Sequence, residues 1–276
     1  MPLVRISQFL FLAALLTVAG CSRQEPERTR EAAAPVPSSS IRPLAYVGRA
    51  LCVECHVIEA TRWTGSHHDL AMQPADKTTV LGDFDDASFT YAGVTSTFSA
   101  RDGGFYVQTD GADGSLAEYR IAYAFGVEPL QQYLIEFPDG RLQALGIAWD
   151  TRSAEQGGQR WFHLYPGEKI DAGDELHWTR RSQNWNYMCA DCHSTGYRKN
   201  YDPETDRFAS AWSDIDVACE ACHGPGSHHV ARAESDTLDE DMGLAVSFAE
   251  PARRWVWEAG QPTAQLAGAA TAGAQV

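Results

Sequence analysis

The sequence predicts an α+β fold, an antiparallel β-sheet inserted between segments of short helices and loops. Two observations carry that expectation. Between residues 76 and 165 apolar and polar residues alternate at period two between glycine-bearing turns, and on either side CxxCH pentapeptides take the place of the alternation. The 276 residues suffice for one large domain or two small ones, and 44% hydrophobic content with 11% aromatics excludes a wholly disordered chain. Asp and Glu number 37 against 22 Lys and Arg, a formal charge of -15, which argues against nucleic acid or an anionic membrane face as partner. Seven cysteines, an odd number, exclude a disulfide framework that uses them all.

Residues 1–20 read as a signal peptide: one basic residue, Arg5, then an apolar run from Phe9 to Ala19 too short to span a bilayer. Val18-Ala19-Gly20-Cys21 resembles a lipoprotein box, in which Cys21 is acylated and holds the mature chain at a membrane surface. The alternative is an ordinary signal with a chance cysteine at its end. Residues 21–45, rich in Glu, Arg, Ala, Pro and Ser, have the composition of a flexible tether.

The remaining six cysteines fall as Cys52-Val53-Glu54-Cys55-His56, Cys189-Ala190-Asp191-Cys192-His193 and Cys219-Glu220-Ala221-Cys222-His223. CxxCH is the signature of c-type haem attachment. Cysteines three apart on a helical turn face one side and reach the two vinyl groups of one haem, and the adjacent histidine lies under the iron. Zinc would take two CxxC pairs, or one pair with separated histidines, which leaves one motif of three incomplete. Redox dithiols give no reason for a histidine after each second cysteine. Three covalent haem c groups are therefore expected, with His56, His193 and His223 as proximal ligands. His68 and His229 are the leading candidates for distal ligands, followed by His177 and His163; Met72, Met188 and Met242 are alternatives. His229 is too near its own CxxCH to reach the far face of that haem, so a neighbouring iron is the better target.

Residues 46–75 thus form a first haem-binding segment. In the sheet region 76–165, Phe89 and Tyr91, then Val94, Ser96 and Phe98, then Phe105 and Val107 alternate with polar or small residues, with turns at 101–104 and 110–114. Tyr119 to Phe125 continue the alternation, Tyr133 to Phe137 form a strand that is apolar except for Glu136, and Leu142 to Trp149 return after a turn at 138–141. About five or six strands are expected. Residues 166–262 form a two-haem segment of helices and loops: Cys189 and Cys219 are only thirty positions apart, so two haems packed together, lined by Trp178, Trp185, Tyr187, Tyr197 and Trp212, would supply the core there. The acidic run 234–241 reads as a solvated face, and the low-complexity tail 263–276 as poorly ordered.

The first CxxCH with Trp63-x-x-Ser66-His67-His68-Asp69-Leu70-Ala71-Met72, the run Asn184-Trp185-Asn186-Tyr187-Met188 before Cys189, and Cys219-Glu220-Ala221-Cys222-His223-Gly224-Pro225-Gly226 resemble multihaem cytochromes of the c-552/c-554-like class. Within that class the chain is similar to the N-terminal part of bacterial proteins that join a multihaem cytochrome region to tetratricopeptide repeats. The resemblance covers Val47 to Pro262 and implies closely stacked haems, mostly with two histidine ligands, used for electron transfer. It departs at the C-terminus, where further CxxCH motifs and helical repeats are absent; a short natural relative or a truncated product would account for this. The expected role is that of an electron carrier rather than a catalyst, exported to the periplasmic side of a bacterial cell envelope and serving redox partner proteins. Two other readings stay open: a nitrogen- or sulfur-oxyanion reductase with one open iron, and a haem-bearing sensor or partner-binding module.

Overall fold

The computed structural model describes residues 43–237, 242–246, 254–256 and 265–267. The chain falls into two units, 1–42 and 43–276, and the second is the one described. The expected signal peptide, Cys21 and nearly all of the tether lie outside the described residues. Among the described residues no helix is long and apolar enough to cross a membrane.

The body is a nine-stranded antiparallel sheet. Its strands are β1 (Met72–Pro74), β2 (Ala87–Tyr91), β3 (Val94–Arg101), β4 (Gly104–Asp110), β5 (Leu116–Phe125), β6 (Leu130–Glu136), β7 (Leu142–Ala144), β8 (Ile147–Asp150) and β9 (Arg160–His163). The order is β2-β3-β4-β5-β6-β8-β9, with β1 added to β5 and β7 to β6. Two-residue turns, Ala92-Gly93 and Asp102-Gly103, join the first three long strands. Both residues of each turn have positive φ (51° and 91°, 50° and 74°), the geometry whose twist matches that of the flanking strands and which glycine adopts at little cost. A register shift between Ile121 and Tyr123 bends β5 against β6.

The bent sheet curls until its ends meet. Tyr91 on β2 stacks on His163 on β9 with ring centroids 4.2 Å apart, and its hydroxyl donates to the Tyr165 carbonyl at 2.6 Å. The result is a nearly closed barrel filled by Phe84, Phe98, Val107, Ile121, Tyr133, Ile135, Leu145, Trp149, Trp161 and Trp178. Phe98 lies flat on Trp161 at 3.7 Å, and Phe84 meets Phe98, Tyr133 and Trp161 edge-on.

This architecture corrects the expected fold class. The protein is mostly β: the sheet is the body rather than an insertion, and it holds its own core. The helices are short: α1 (Arg49–Cys55), α2 (Val57–Trp63), α3 (Trp185–Met188), α4 (Ala190–His193), α5 (Cys219–His223) and α6 (Ser227–Glu234). The strands β1 and β9 have three and four residues, too few for an alternation to register, and the strand expected over Leu142 to Trp149 divides into β7 and β8, both buried throughout. Trp178, expected beside a haem, belongs to the barrel, where its indole donates to the Asp110 carbonyl at 2.7 Å. The helical stretches expected from Glu175 to Tyr187 reduce to turns, a 3-10 turn at Arg181–Gln183 and α3. Two small strand pairs complete the described structure, Tyr201–Asp202 with Arg207–Phe208 and Arg254–Val256 with Gln265–Ala267.

A second apolar cluster covers part of the sheet. Met72, Phe125, Leu134, Leu142, Ala144, Trp185 and Ala190 pack there, flanked by Tyr123, Tyr197 and Trp212. This cluster, not a pair of haems, seats the second CxxCH segment.

Near the barrel's seam, buried His177 places Nε2 3.2 Å from Asp110 Oδ2, while its Nδ1 meets Thr179 Oγ1 at 2.8 Å. Burial alone would raise the Asp110 carboxyl; the hydrogen bond and charge of His177 outweigh it and hold the group below its ordinary range. A depressed carboxylate contributes stability that is present above its unfolded pKa and lost as pH falls through the folded one. Asp110→Asn should therefore lower the urea midpoint at pH 7, with the difference from wild type vanishing in strong acid below the depressed pKa. A difference that does not change with pH would contradict the pairing.

Candidate haem-attachment site

Each CxxCH lies on a short helical turn. Cys52 and Cys55 are three apart on α1 with His56 at its end; Cys189 precedes α4, which holds Cys192 and His193; Cys219, Cys222 and His223 lie on α5. All six cysteines are free, the first of each pair half-buried and the second exposed.

Glu220, between the cysteines of the third motif, docks the first motif on it. Its carboxylate, 3% exposed, accepts from Val47 N and Gly48 N at the start of α1 (3.0 and 2.8 Å) and from Gly226 N at the start of α6 (2.7 Å). Asp214 accepts from Arg49 N at 3.3 Å, and the Arg49 guanidinium bonds Asp216 at 2.8 Å. Carboxylates at helix starts meet unpaired N–H groups and the positive end of the backbone dipole. The docking brings Cys52 beside Cys219; burial, then the Cys219 and Glu220 charges, push the Cys52 thiol up to about 11. Burial raises the Cys189 thiol too.

The second motif is set by the sheet. Asn184 caps α3 by accepting from Tyr187 N at 3.1 Å and donates to Gln143 on β7 at 2.8 Å, while Asn186 accepts from Leu142 N at 2.8 Å. Trp185 between them is fully buried. Two residues past His193, the Thr195 hydroxyl donates to the Asp216 carbonyl at 2.7 Å and accepts from Ala218 N at 2.9 Å, which joins motif two to the approach of motif three. The Trp63 indole donates to the Val217 carbonyl at 3.0 Å, tying the helix after motif one to the same approach.

The histidines divide by what their ring nitrogens meet. His193 directs Nδ1 at the Ala71 carbonyl (3.2 Å). His229 directs Nδ1 at the Met242 carbonyl (2.7 Å), and its ring centroid is 6.0 Å from that of His56 with 29° between the planes. A backbone carbonyl on one nitrogen leaves the other for a metal. His56 Nδ1 lies 4.0 Å from Glu59. The backbone carbonyl of His68 accepts from Val217 N at 3.2 Å, so its loop lies against the chain entering motif three. His177 has both nitrogens engaged inside the barrel, and His163 accepts from Tyr165 N at the seam; no described contact brings either to an attachment motif. Met72 is buried in the second apolar cluster, whereas Met188 and Met242 are exposed.

These residues fit haem c. Beside the motifs, Val57 and Ile58 follow His56 at 61% and 64% exposure, Met188 precedes Cys189 at 63%, and Met242 and Val246 lie by the third motif at 41% each. Apolar side chains left bare beside paired thiols are what an attached porphyrin covers. Two imidazoles bound to one iron at about 2 Å each have centroids roughly 6 Å apart, the spacing seen between His56 and His229. Among the described residues no group of three or more His, Cys, Asp or Glu is arranged to hold a bare metal ion.

Sequence reasoning missed Glu220, Thr195, Asn184, Asn186 and the carbonyls of Ala71 and Met242 as parts of this site. Only the asparagines left a signal, as flanks of a buried tryptophan before a CxxCH.

No curated protein and no solved structure matches the chain. Residues 159–224, from the end of the barrel through the second and third motifs, match the family described as Cytochrome c554 and c-prime. The match supports a c-type cytochrome family with covalently bound haem c and electron transfer as its chemistry, a family typically found outside the cytoplasm; it does not reach the first motif or the likeness to proteins with tetratricopeptide repeats. In that region, the chain is similar to the c-type cytochromes.

Proposed function

We propose that the protein is a tri-haem c-type cytochrome that carries electrons on the periplasmic side of a bacterial cell envelope, held to a membrane through acylated Cys21. The observation that carries this reading is the joining of three CxxCH turns into one cluster by Glu220, Thr195 and the loop 63–71. When bound, the haems supply one-electron oxidation and reduction at iron. The chain's residues would hold them: Cys52 and Cys55, Cys189 and Cys192, and Cys219 and Cys222 as thioether donors, with His56, His193 and His223 as iron ligands. His229 is the candidate second ligand facing His56, and His68 remains a candidate for another iron. The formal charge of -15 favours basic partner surfaces and association that weakens with salt.

A carrier is favoured over an oxyanion reductase by the state of the groups that would serve an open iron. Of the acid–base and cationic groups that precede the second motif, His177 is spent on Asp110 and Thr179, the Arg180 guanidinium donates to the Ala172 carbonyl, and the Arg181 guanidinium lies 5.0 Å over the Tyr187 ring. The oxidised protein should be six-coordinate and low-spin at every haem. A high-spin fraction that shifts on adding nitrite, sulfite or cyanide would count against the carrier reading.

A further inference from the structure

Residues 242–246 form a short strap across the third motif and α6. Val246 N donates to the His223 carbonyl at 3.2 Å, and the Met242 carbonyl accepts the His229 Nδ1 proton at 2.7 Å. The strap approaches closely at Gly243. Its φ is +69°, and a Cβ there would fall 2.9 Å from Arg232 Cδ and 3.1 Å from the His228 carbonyl carbon and oxygen, so only glycine lets the strap rest on α6. Nearby, a Cβ on Gly224 would sit 2.9 Å from that of Ala245. The strap is therefore held at Gly243 and at Val246, and its first carbonyl lies beside the His229 ring.

We infer that this strap is the device that makes His229 an iron ligand: the Met242 carbonyl fixes the ring's tautomer and direction, so that Nε2 alone faces His56. The inference rests on the reading of His56 and His229 as the two ligands of one haem. Imidazole can carry its proton on either nitrogen, and the hydrogen bond made by one nitrogen decides which is presented to a metal. An Nδ1 proton held by a carbonyl leaves the Nε2 lone pair available, and the ring is spared the choice between two orientations. Met242 acts through its backbone, so residues 242–246 are a positioning element and His229 is the ligand.

The test compares three variants of the haem-loaded protein by haem count and spin state. Gly243→Val puts a branched side chain where neither the φ nor the space admits one, against Arg232 Cδ and the His228 carbonyl. It should keep every attached haem, convert one of them from low-spin to high-spin, and add nothing when combined with His229→Ala, which should convert the same one. Met242→Ala, which retains the carbonyl, should leave the spectrum unchanged. If His229→Ala converts one haem while Gly243→Val converts none, the strap is not the positioning element and the inference is overturned. If His229→Ala itself leaves every haem low-spin, the ligand reading falls and the inference with it. A Met242→Ala spectrum like that of His229→Ala would transfer the role to the side chain and also overturn it. Should Gly243→Val fail to fold, the reduced wild-type protein decides by NMR: a His229 Nδ1 proton protected from solvent exchange supports the strap, and one that exchanges as fast as an exposed histidine's overturns it.

Discussion

Glu220→Ala should destabilise the protein by about 3–5 kcal/mol, because three buried or half-buried N–H groups lose a charged acceptor together. The loss has a direction as well as a size. Val47 and Gly48 open α1, and Gly226 opens α6, so the variant loosens the first CxxCH on the third, leaving the Arg49 and Trp63 ties and the barrel's own core in place. The urea midpoint by circular dichroism should fall, and proteolysis should cut first near residues 43–48. Glu220→Gln keeps the shape but places an amide N–H group against backbone donors, so it should lie between Ala and wild type. A Glu220→Ala midpoint equal to wild type would contradict the docking of the two motifs.

The barrel gives the second large effect. Phe98 is fully buried, flat on Trp161 at 3.7 Å and edge-on to Phe84. Phe98→Ala removes the ring and leaves a void among rigid aromatics that cannot collapse into it, at a cost of about 3–5 kcal/mol. Phe98→Leu refills part of that volume and should recover more than half. Haem attachment should survive both changes in the folded fraction, since no motif touches Phe98. Loss of attached haem at a wild-type midpoint would instead couple the barrel interior to the cysteines, which the structure does not provide for.

What the sequence disclosed follows from how local each feature is. The turns at 101–104, 110–114 and 138–141 stand where their glycine, proline and aspartate residues mark them, because turn geometry is dictated within four residues. Strand β1, only three residues long, is held by β5 about fifty positions further on, and the four residues of β9 are too few to show a period, so the sequence outlines a smaller sheet than the one that forms. Trp178 illustrates the same limit. An aromatic eleven positions before Cys189 suits a haem wall or a barrel core equally, and only its bond to the Asp110 carbonyl decides.

At the site, the CxxCH residues were legible because attachment chemistry needs them contiguous. Glu220 was not, since a carboxylate between two cysteines reads as a surface charge until Val47, Gly48 and Gly226 are brought to it. The Met242 carbonyl carries no side-chain signature at all. His229 was legible as a candidate only through the count of irons to be satisfied, and its 6.0 Å approach to the His56 ring joins residues too far apart in sequence to leave a local signal.

The central claim is that one chain holds three covalent haems on six cysteines. Intact-mass measurement of the denatured mature protein, with alkylation of any free thiol, tests it most directly. The account predicts the polypeptide plus three haems, with no alkylation at Cys52, Cys55, Cys189, Cys192, Cys219 or Cys222. Any other number of attached haems, or an alkylated pair among those six, would contradict it.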